Sequence, residues 1–425
     1  MVAGQQKIAV IGSGISGLAT AYLLSRKHHV VLYEAADYLG GHTHTVDVQL
    51  EGQTCPVDTG FLVFNELTYP NFIALLAELG VESYASDMSF GVSQDSGRFE
   101  WAGTDLGSVF AQKRHLLSPT FMHMLYDIMR FNATAQSNLA LSEQSGMTLG
   151  QLLSHGGYGH KFRDAYLLPM AAAIWSSAPR DILDFPASTF LRFCINHALL
   201  QVNDRPQWRT VSGGGKAYVD QIAAQLTDIR LNTPVLQVER LGNGVTVVTS
   251  SDVEYFDHVV FATHAPDTLK LLGDATSNER AILSQVRYQT NTAILHTDRT
   301  QMPKRKKVWS AWNYIGGSQL EGHRPVCVSY WLNKLQDLPF ASPVILTLNP
   351  FKRPSSDQIL AEFSYEHPIF DHAAIQAQQD LSLIQGKNRL WFAGAWTGYG
   401  FHEDGLKSAL RVVAGFDLSP HWAKV

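Results

Sequence analysis

Lys7-Ile-Ala-Val-Ile-Gly12-Ser-Gly14-Ile-Ser-Gly17-Leu-Ala-Thr-Ala-Tyr-Leu-Leu24 is the stretch that decides the fold. Ile8 to Ile11 is a continuous apolar run, the pattern of a parallel strand buried on both faces. Gly12 permits a tight turn, Gly14 lets a ligand's pyrophosphate approach the backbone, and Gly17 lets the following helix pack closely on the strand. The free N–H groups and positive dipole end of that helix suit phosphate. A second strand, His29-Val-Val-Leu-Tyr33, ends in Glu34, where the dinucleotide fingerprint needs a carboxylate for the ribose hydroxyls. Cofactor contacts are therefore expected at Gly12, Gly14, Ile15, Ser16, Gly17 and Glu34.

The whole chain agrees with a large enzyme-like protein. Its 425 residues suggest two or three domains, and 45% hydrophobic against 17% charged residues allow a sizeable core. A formal charge of -5 lacks the basic excess of a nucleic-acid binder. Cys55, Cys194 and Cys327 are far apart and form no CxxC, which argues against a dithiol motif and fits a reducing compartment. No run reaches the length of a membrane span, and Met1 to Lys7 is no signal peptide. The expected location is cytoplasmic, with peripheral contact to the inner membrane left open. The basic run Lys304-Arg-Lys-Lys307 reads either as a solvated turn or as a contact for anionic headgroups.

Further motifs follow in order: Leu39-Gly40-Gly41-His42-Thr43, Val57-Asp58-Thr-Gly60-Phe61, Gly213-Gly-Gly-Lys216, Ile229-Arg-Leu-Asn-Thr-Pro-Val235, Asp257-His-Val-Val-Phe-Ala262, and Arg389-Leu-Trp-Phe-Ala393-Gly394 leading to a helix at Asp404-Gly405-Leu406. This series resembles the flavin amine oxidase and carotenoid (phytoene) desaturase superfamily over nearly the full chain. The wording Ala393-Gly-Ala-Trp-Thr-Gly-Tyr-Gly-Phe-His-Glu-Asp-Gly-Leu406, with Ser329-Tyr-Trp-Leu-Asn and Thr347-Leu-Asn-Pro350, is similar to a bacterial group of FAD-dependent oxidoreductases associated with cyclopropane, furan and other methylated fatty acids.

The resemblance implies FAD, with Gly41, His42, Thr43, Val235, Gly394, Asp404 and Leu406 added to its contacts. His42 stands where relatives have arginine against the diphosphate. The family's cysteinyl linkage needs a Cys near the C-terminal motif; none is there, so FAD is expected to be non-covalent. His42 and His44 alternate, but no further ligand completes a metal spacing and none is expected.

The implied fold is α/β. A Rossmann-type FAD domain built from 1–60, 205–287 and 385–425 carries an α+β substrate domain, with mixed or antiparallel sheet, from 61–204 and 288–384; its helical part is 105–204. Apolar helices such as Tyr166 to Trp175 are either ordinary core or the walls of a tunnel to the flavin, with Trp175, Tyr330 and Tyr399 as pocket candidates. The strand Tyr288 to His296 lacks the lysine that amine oxidases place near the flavin. His402 is the acid/base candidate, since an ordinary histidine titrates near neutrality; Glu403 is expected to cap the helix that follows. The expected reaction is desaturation of a long apolar substrate, such as a fatty acyl chain of a phospholipid, with an electron acceptor outside the chain. Double-bond isomerisation, amine oxidation and a non-enzymatic lipid-binding role remain as alternatives.

Overall fold

The computed structural model describes residues 4–175, 179–201, 205–316 and 326–424. Strand Lys7–Ile11 sits in the middle of a five-stranded parallel sheet, and Ile8, Ala9 and Val10 are wholly shielded from solvent. Its neighbours are His29–Tyr33 on one side and His258–Phe261 on the other; Ile229–Arg230 and Leu390–Phe392 form the edges. Five strands thus come from four distant stretches of sequence, so the sheet closes only after most of the chain has been made.

Both faces of the sheet are covered, as its apolar runs require. Alternate side chains divide between them: Ile8, Val10, Val30, Leu32 and Val260 face helices Ile15–Ser25, Lys216–Ala223 and His402–Ala414. Ala9, Ile11, Val31, Tyr33, Val259 and Phe261 face a three-stranded antiparallel sheet, Val235–Leu241, Gly244–Thr249 and Val253–Phe256, with its accompanying helices.

A second sheet has seven strands, in the order Ile359–Ile369, Arg287–His296, Ile345–Leu348, Cys327–Trp331, Trp312–Gly316, Phe90–Gln94 and Phe99–Ala102. All its pairings are antiparallel except that of Trp312–Gly316 with Phe90–Gln94. The last two strands lie just before the helical part expected at 105–204. They are short, and their neighbours' helical spacing hides a two-residue alternation.

Helices between Leu106 and Asn196 pack over this sheet in one large apolar cluster. One junction shows how sequence sets geometry. Pro169 lacks an N–H and cannot donate to the carbonyl of Ala165. The turn there is widened, with π-type winding over Arg163–Leu167, and the Trp101 indole N–H donates to Ala165 O at 3.0 Å. Gln94 Nε2 likewise donates to Asp164 O at 2.7 Å, so two sheet residues anchor the wide turn. No helix among the described residues is long and apolar enough to cross a membrane.

Candidate active site

Two glycine turns meet where strand Lys7–Ile11 ends. Gly12 has φ +98°, and a Cβ there would lie 2.8 Å from Ala262 O; a Cβ on Gly17 would lie 1.8 Å from Gly12 O. Both positions exclude any side chain by close packing. Gly14 differs: its backbone is extended and a Cβ would meet nothing within 4 Å, because the position opens on a cavity. Gly40 pairs alongside Gly14, and Gly41, at φ +56°, brings a Cβ position within 3.2 Å of Gly14 Cα. Glu34 accepts from Ser13 N at 2.9 Å, Ser13 Oγ at 2.6 Å and Ala36 N at 2.9 Å, which holds the first turn in shape.

Two helix N-termini lie side by side at this cavity. Gly405 allows it, since a Cβ there would be 2.8 Å from Ile15 Cγ2 and 2.9 Å from Ser16 Oγ. Ser16 Oγ donates to Gly405 O at 2.9 Å, and Gly394 N donates to Ser408 Oγ at 2.9 Å. Helices Ile15–Ser25 and His402–Ala414 therefore both direct free N–H groups and positive dipole ends at one space, a place for negative charge.

The cavity runs from this polar end to an apolar one. Gly14, Ile15, Ser16, Gly40, His42, Thr43, Gly60, Thr263, Gly394, Ala395 and His402 line the first part. Leu62, Val63, Met88, Ile174, Phe193, Leu199, Trp312, Tyr330, Leu346 and Leu348 line the other.

His42 faces a group of rings that the linear sequence does not reveal: Tyr365 and His367 at 5.3 Å each and His264 at 6.3 Å between centroids. Its Nε2 is buried without a partner. Burial first, then the neighbouring His367, His264 and His402, bring the His42 pKa down to about 3, and burial brings His367 to about 4. His44 meets this group only through Tyr365, whose hydroxyl its Nδ1 bonds at 2.9 Å; its ring stacks on Tyr38 at 4.4 Å. His264 Nδ1 lies 3.2 Å from Glu366 and 3.7 Å from Asp267 at the partly exposed edge. One ligand atom from each of these three residues falls within 4.8 Å of the others, a closeness their ion pairing accounts for.

Several expected positions are placed otherwise than the sequence suggested. His402 lines the cavity, but as a fixed wall. Its ring stacks flat on Phe61 at 3.8 Å, and its Nε2 bonds the Tyr218 hydroxyl at 2.8 Å, which reaches Thr43 Oγ1 at 2.6 Å. Burial lowers its pKa to about 3, so it is neutral at pH 7 and a poor proton acceptor. Glu403 caps a different helix from the one expected: it accepts from Asn71 N at 3.1 Å, Phe72 N at 2.9 Å and Asn71 Nδ2 at 2.7 Å, at the start of Pro70–Leu79. Asp404 points away from the cavity and accepts from Tyr399 N and Phe401 N, with burial raising its pKa to about 6.

Trp175 is core rather than pocket wall, packed behind Phe193 at 4.6 Å. Tyr399 also lies outside the lining, 5.7 Å from Phe193. Val235, Leu406, Glu34, Gly12, Gly17 and Gly41 do not line the cavity, whereas Tyr330 does. His264, Tyr288, Tyr365 and His367 are lining residues that the sequence reading missed. The His-Pro pair at 367–368 and the small-residue turn before His264 were the available signals, but only the fold brings strand Ile359–Ile369 and the turn after His258–Phe261 to His42.

A parallel sheet with a glycine turn at a helix N-terminus, and a second helix aimed at the same cavity, define a dinucleotide-binding flavoprotein fold. The space beside Gly14, the unpartnered Nε2 of His42 and the paired helix N-termini fit a diphosphate and a flavin edge. A family model described as "Flavin containing amine oxidoreductase" matches residues 15–339, and the chain belongs to that family of FAD-dependent oxidoreductases.

Among curated proteins it is 25% identical to an L-amino acid dehydrogenase of Synechocystis sp. over 261 residues, 57% of this chain and 52% of that protein. It is 25% identical to polyamine oxidase 4 of Oryza sativa subsp. japonica over 266 residues, 60% of this chain and 50% of that protein. The chain thus matches about half the length of these relatives. Two solved structures share its fold: a CLA-producing fatty acid isomerase from P. acnes (14% identity, TM-score 0.66, covering 97% of this chain and 98% of that one) and putrescine oxidase bound to putrescine (14% identity, TM-score 0.70, 97% and 99%).

Proposed function

We propose that the protein desaturates a long apolar substrate, such as a methylated or unsaturated fatty acyl chain of a phospholipid, using non-covalently held FAD. The observation that carries this reading is the far end of the cavity. Met88, Ile174, Phe193, Leu199, Trp312 and Leu348 converge there, and Glu366 is the only carboxylate among the described lining residues. That carboxylate is already occupied by His264 at the edge. A cationic polyamine would leave its charges unpaired against hydrocarbon, at a cost of several kcal/mol each. A hydrocarbon chain gains ~0.8 kcal/mol for every methylene it buries. The strand Arg287–His296 also carries no lysine, the residue expected beside the flavin in an amine oxidase.

FAD, when bound, supplies the two-electron acceptor. Gly14, Ile15 and Ser16 would hold its diphosphate, and the start of helix His402–Ala414 would face the flavin edge. Phe61 and the neutral His402 ring make a flat wall that positions the substrate and excludes water. His264, hydrogen-bonded to Glu366 and reaching solvent, is the lining group suited to pass the released proton outward. The electrons leave to an acceptor outside the chain.

The test is anaerobic. Purified holoprotein is mixed with phospholipids bearing methylated or unsaturated chains, and the visible flavin band is followed. Bleaching with a product two mass units lighter is the expected result. An altered lipid of unchanged mass with no bleaching would assign isomerisation instead. Bleaching by a panel of amines, with lipids inert, would sink the lipid reading.

A further inference from the structure

Beyond the cavity, one face of the molecule combines exposed apolar side chains with a cluster of basic ones. Of fifteen large apolar side chains exposed among the described residues, six fall between residues 106 and 129. Leu106 is 77% exposed, Leu117 88% and Tyr126 61%, with Leu116, Met122 and Met129 each near half. Helix Pro119–Ala133 explains part of this. Phe121, Met124 and Phe131 are buried, whereas Met122, Tyr126 and Met129, at spacing i, i+4, i+7, form a second apolar stripe that faces outward. A helix apolar on both sides has a partner missing on one of them.

The same face is basic. Arg98, Lys113, Arg114, Lys304, Arg305, Lys306 and Lys307 are all exposed. The fold gathers them: the turn Lys306–Val308 packs against helix Leu106–Val109, Arg305 donates to Gly97 O at 2.9 Å, and Arg114 donates to Arg98 O. Segment Lys113–Leu117 is held by His115, buried against Phe99 at 5.1 Å and Phe121 at 4.2 Å, which turns Leu116 and Leu117 outward. Among the described residues Arg305 pairs with the buried Glu100 at 2.8 Å, the exposed Asp105 caps its own helix, and the partly exposed Asp95 acts on Lys161. A chain whose formal charge is -5 has placed a local positive excess around an apolar stripe.

We propose that this face seats the protein on an anionic phospholipid bilayer, with Leu106, Leu116, Leu117 and Met122 in the interface and the lysines on headgroup phosphates. The charge complementarity selects the occupant: a second copy of this chain would set one positive excess against another. The proposal does not depend on the substrate reading. Vesicle binding by a protein that leaves acyl chains unchanged would keep it and remove the proposed function.

The FAD-loaded protein is sedimented with vesicles of phosphatidylcholine alone or with one third phosphatidylglycerol. Each Lys near an anionic surface strengthens binding about fivefold, so Lys304→Gln, Lys306→Gln and Lys307→Gln together should lower partitioning about 100-fold, with unchanged Tm. Leu116→Ser with Leu117→Ser should lower it by a similar factor by removing buried apolar area. Raised salt should weaken the parent and affect the triple variant less. No sedimentation with anionic vesicles, or partitioning that ignores both variants, would overturn the proposal. So would a vesicle-free dimer that the Leu116→Ser, Leu117→Ser variant dissolves, which assigns the face to self-association.

Discussion

Gly14→Ala separates the architecture of the first turn from its use. The backbone at Gly14 has φ -62° and ψ 177°, an extended conformation open to alanine, and the added methyl group meets no protein atom within 4 Å. The apoprotein should therefore fold normally. Alanine is poorer than glycine as an N-cap by roughly 0.5–1 kcal/mol, and the stiffer unfolded chain returns ~0.4–1 kcal/mol, so the net change is small. The methyl group instead occupies the cavity at the point where the diphosphate must approach backbone N–H groups. Displacing the phosphate from one or two charge-assisted hydrogen bonds, at ~1.5–3 kcal/mol each, costs roughly 2–4 kcal/mol, or about 30- to 1000-fold in FAD affinity.

The assay is FAD titration of apoprotein by quenching of flavin fluorescence, with Tm measured in parallel. Gly17→Ala is the control, because its Cβ would lie 1.8 Å from Gly12 O; it should lower the apoprotein Tm, with overpacking that costs ~3 kcal/mol or more. A Gly14→Ala protein that binds FAD as tightly as the parent would refute the assignment of this cavity end to the diphosphate.

Three other outcomes are expected. His42 and His402 have folded pKa values of about 3 and His367 about 4, all below the unfolded value, so the unfolded chain binds more protons between about pH 6.5 and pH 3 and stability falls with pH in that window. Each should cost ~2 kcal/mol by pH 5, while Asp58 and Asp404, raised to about 6, gain protons on folding and return ~1 kcal/mol each; a Tm that rises from pH 7 to pH 5 would contradict this balance. Trp101→Phe removes the donor to the buried carbonyl of Ala165 and should destabilise by ~1–3 kcal/mol in urea unfolding, with little change in FAD binding. Glu403→Ala strips three hydrogen bonds from the start of helix Pro70–Leu79 and should lower stability by ~2 kcal/mol, whereas a larger loss of turnover than of Tm would point to a role in the reaction.

Some of this protein is local and could be read directly from its order of residues. The strand, turn and helix of Lys7 to Leu24 depend on apolar runs and on three glycines that stand within twenty residues. The meeting of Gly14 with Gly40 and Gly41 was not legible there; the folded chain supplies it. The apolar stripe and basic run of the outer face were each visible as residue types, but their adjacency was not. Distance along the chain hides what the tertiary structure decides. His42, His264 and His367 are joined only because segments far apart in sequence close over one cavity, and burial there holds His42 and His367 well below the usual imidazole range. His402 changes in the same way, from an acid/base candidate to a neutral wall, because the stacking of Phe61 and the hydroxyl of Tyr218 are contacts between remote segments. Residue type sets which chemistry a side chain has; burial and neighbours, which only the folded chain supplies, set whether that chemistry is in use.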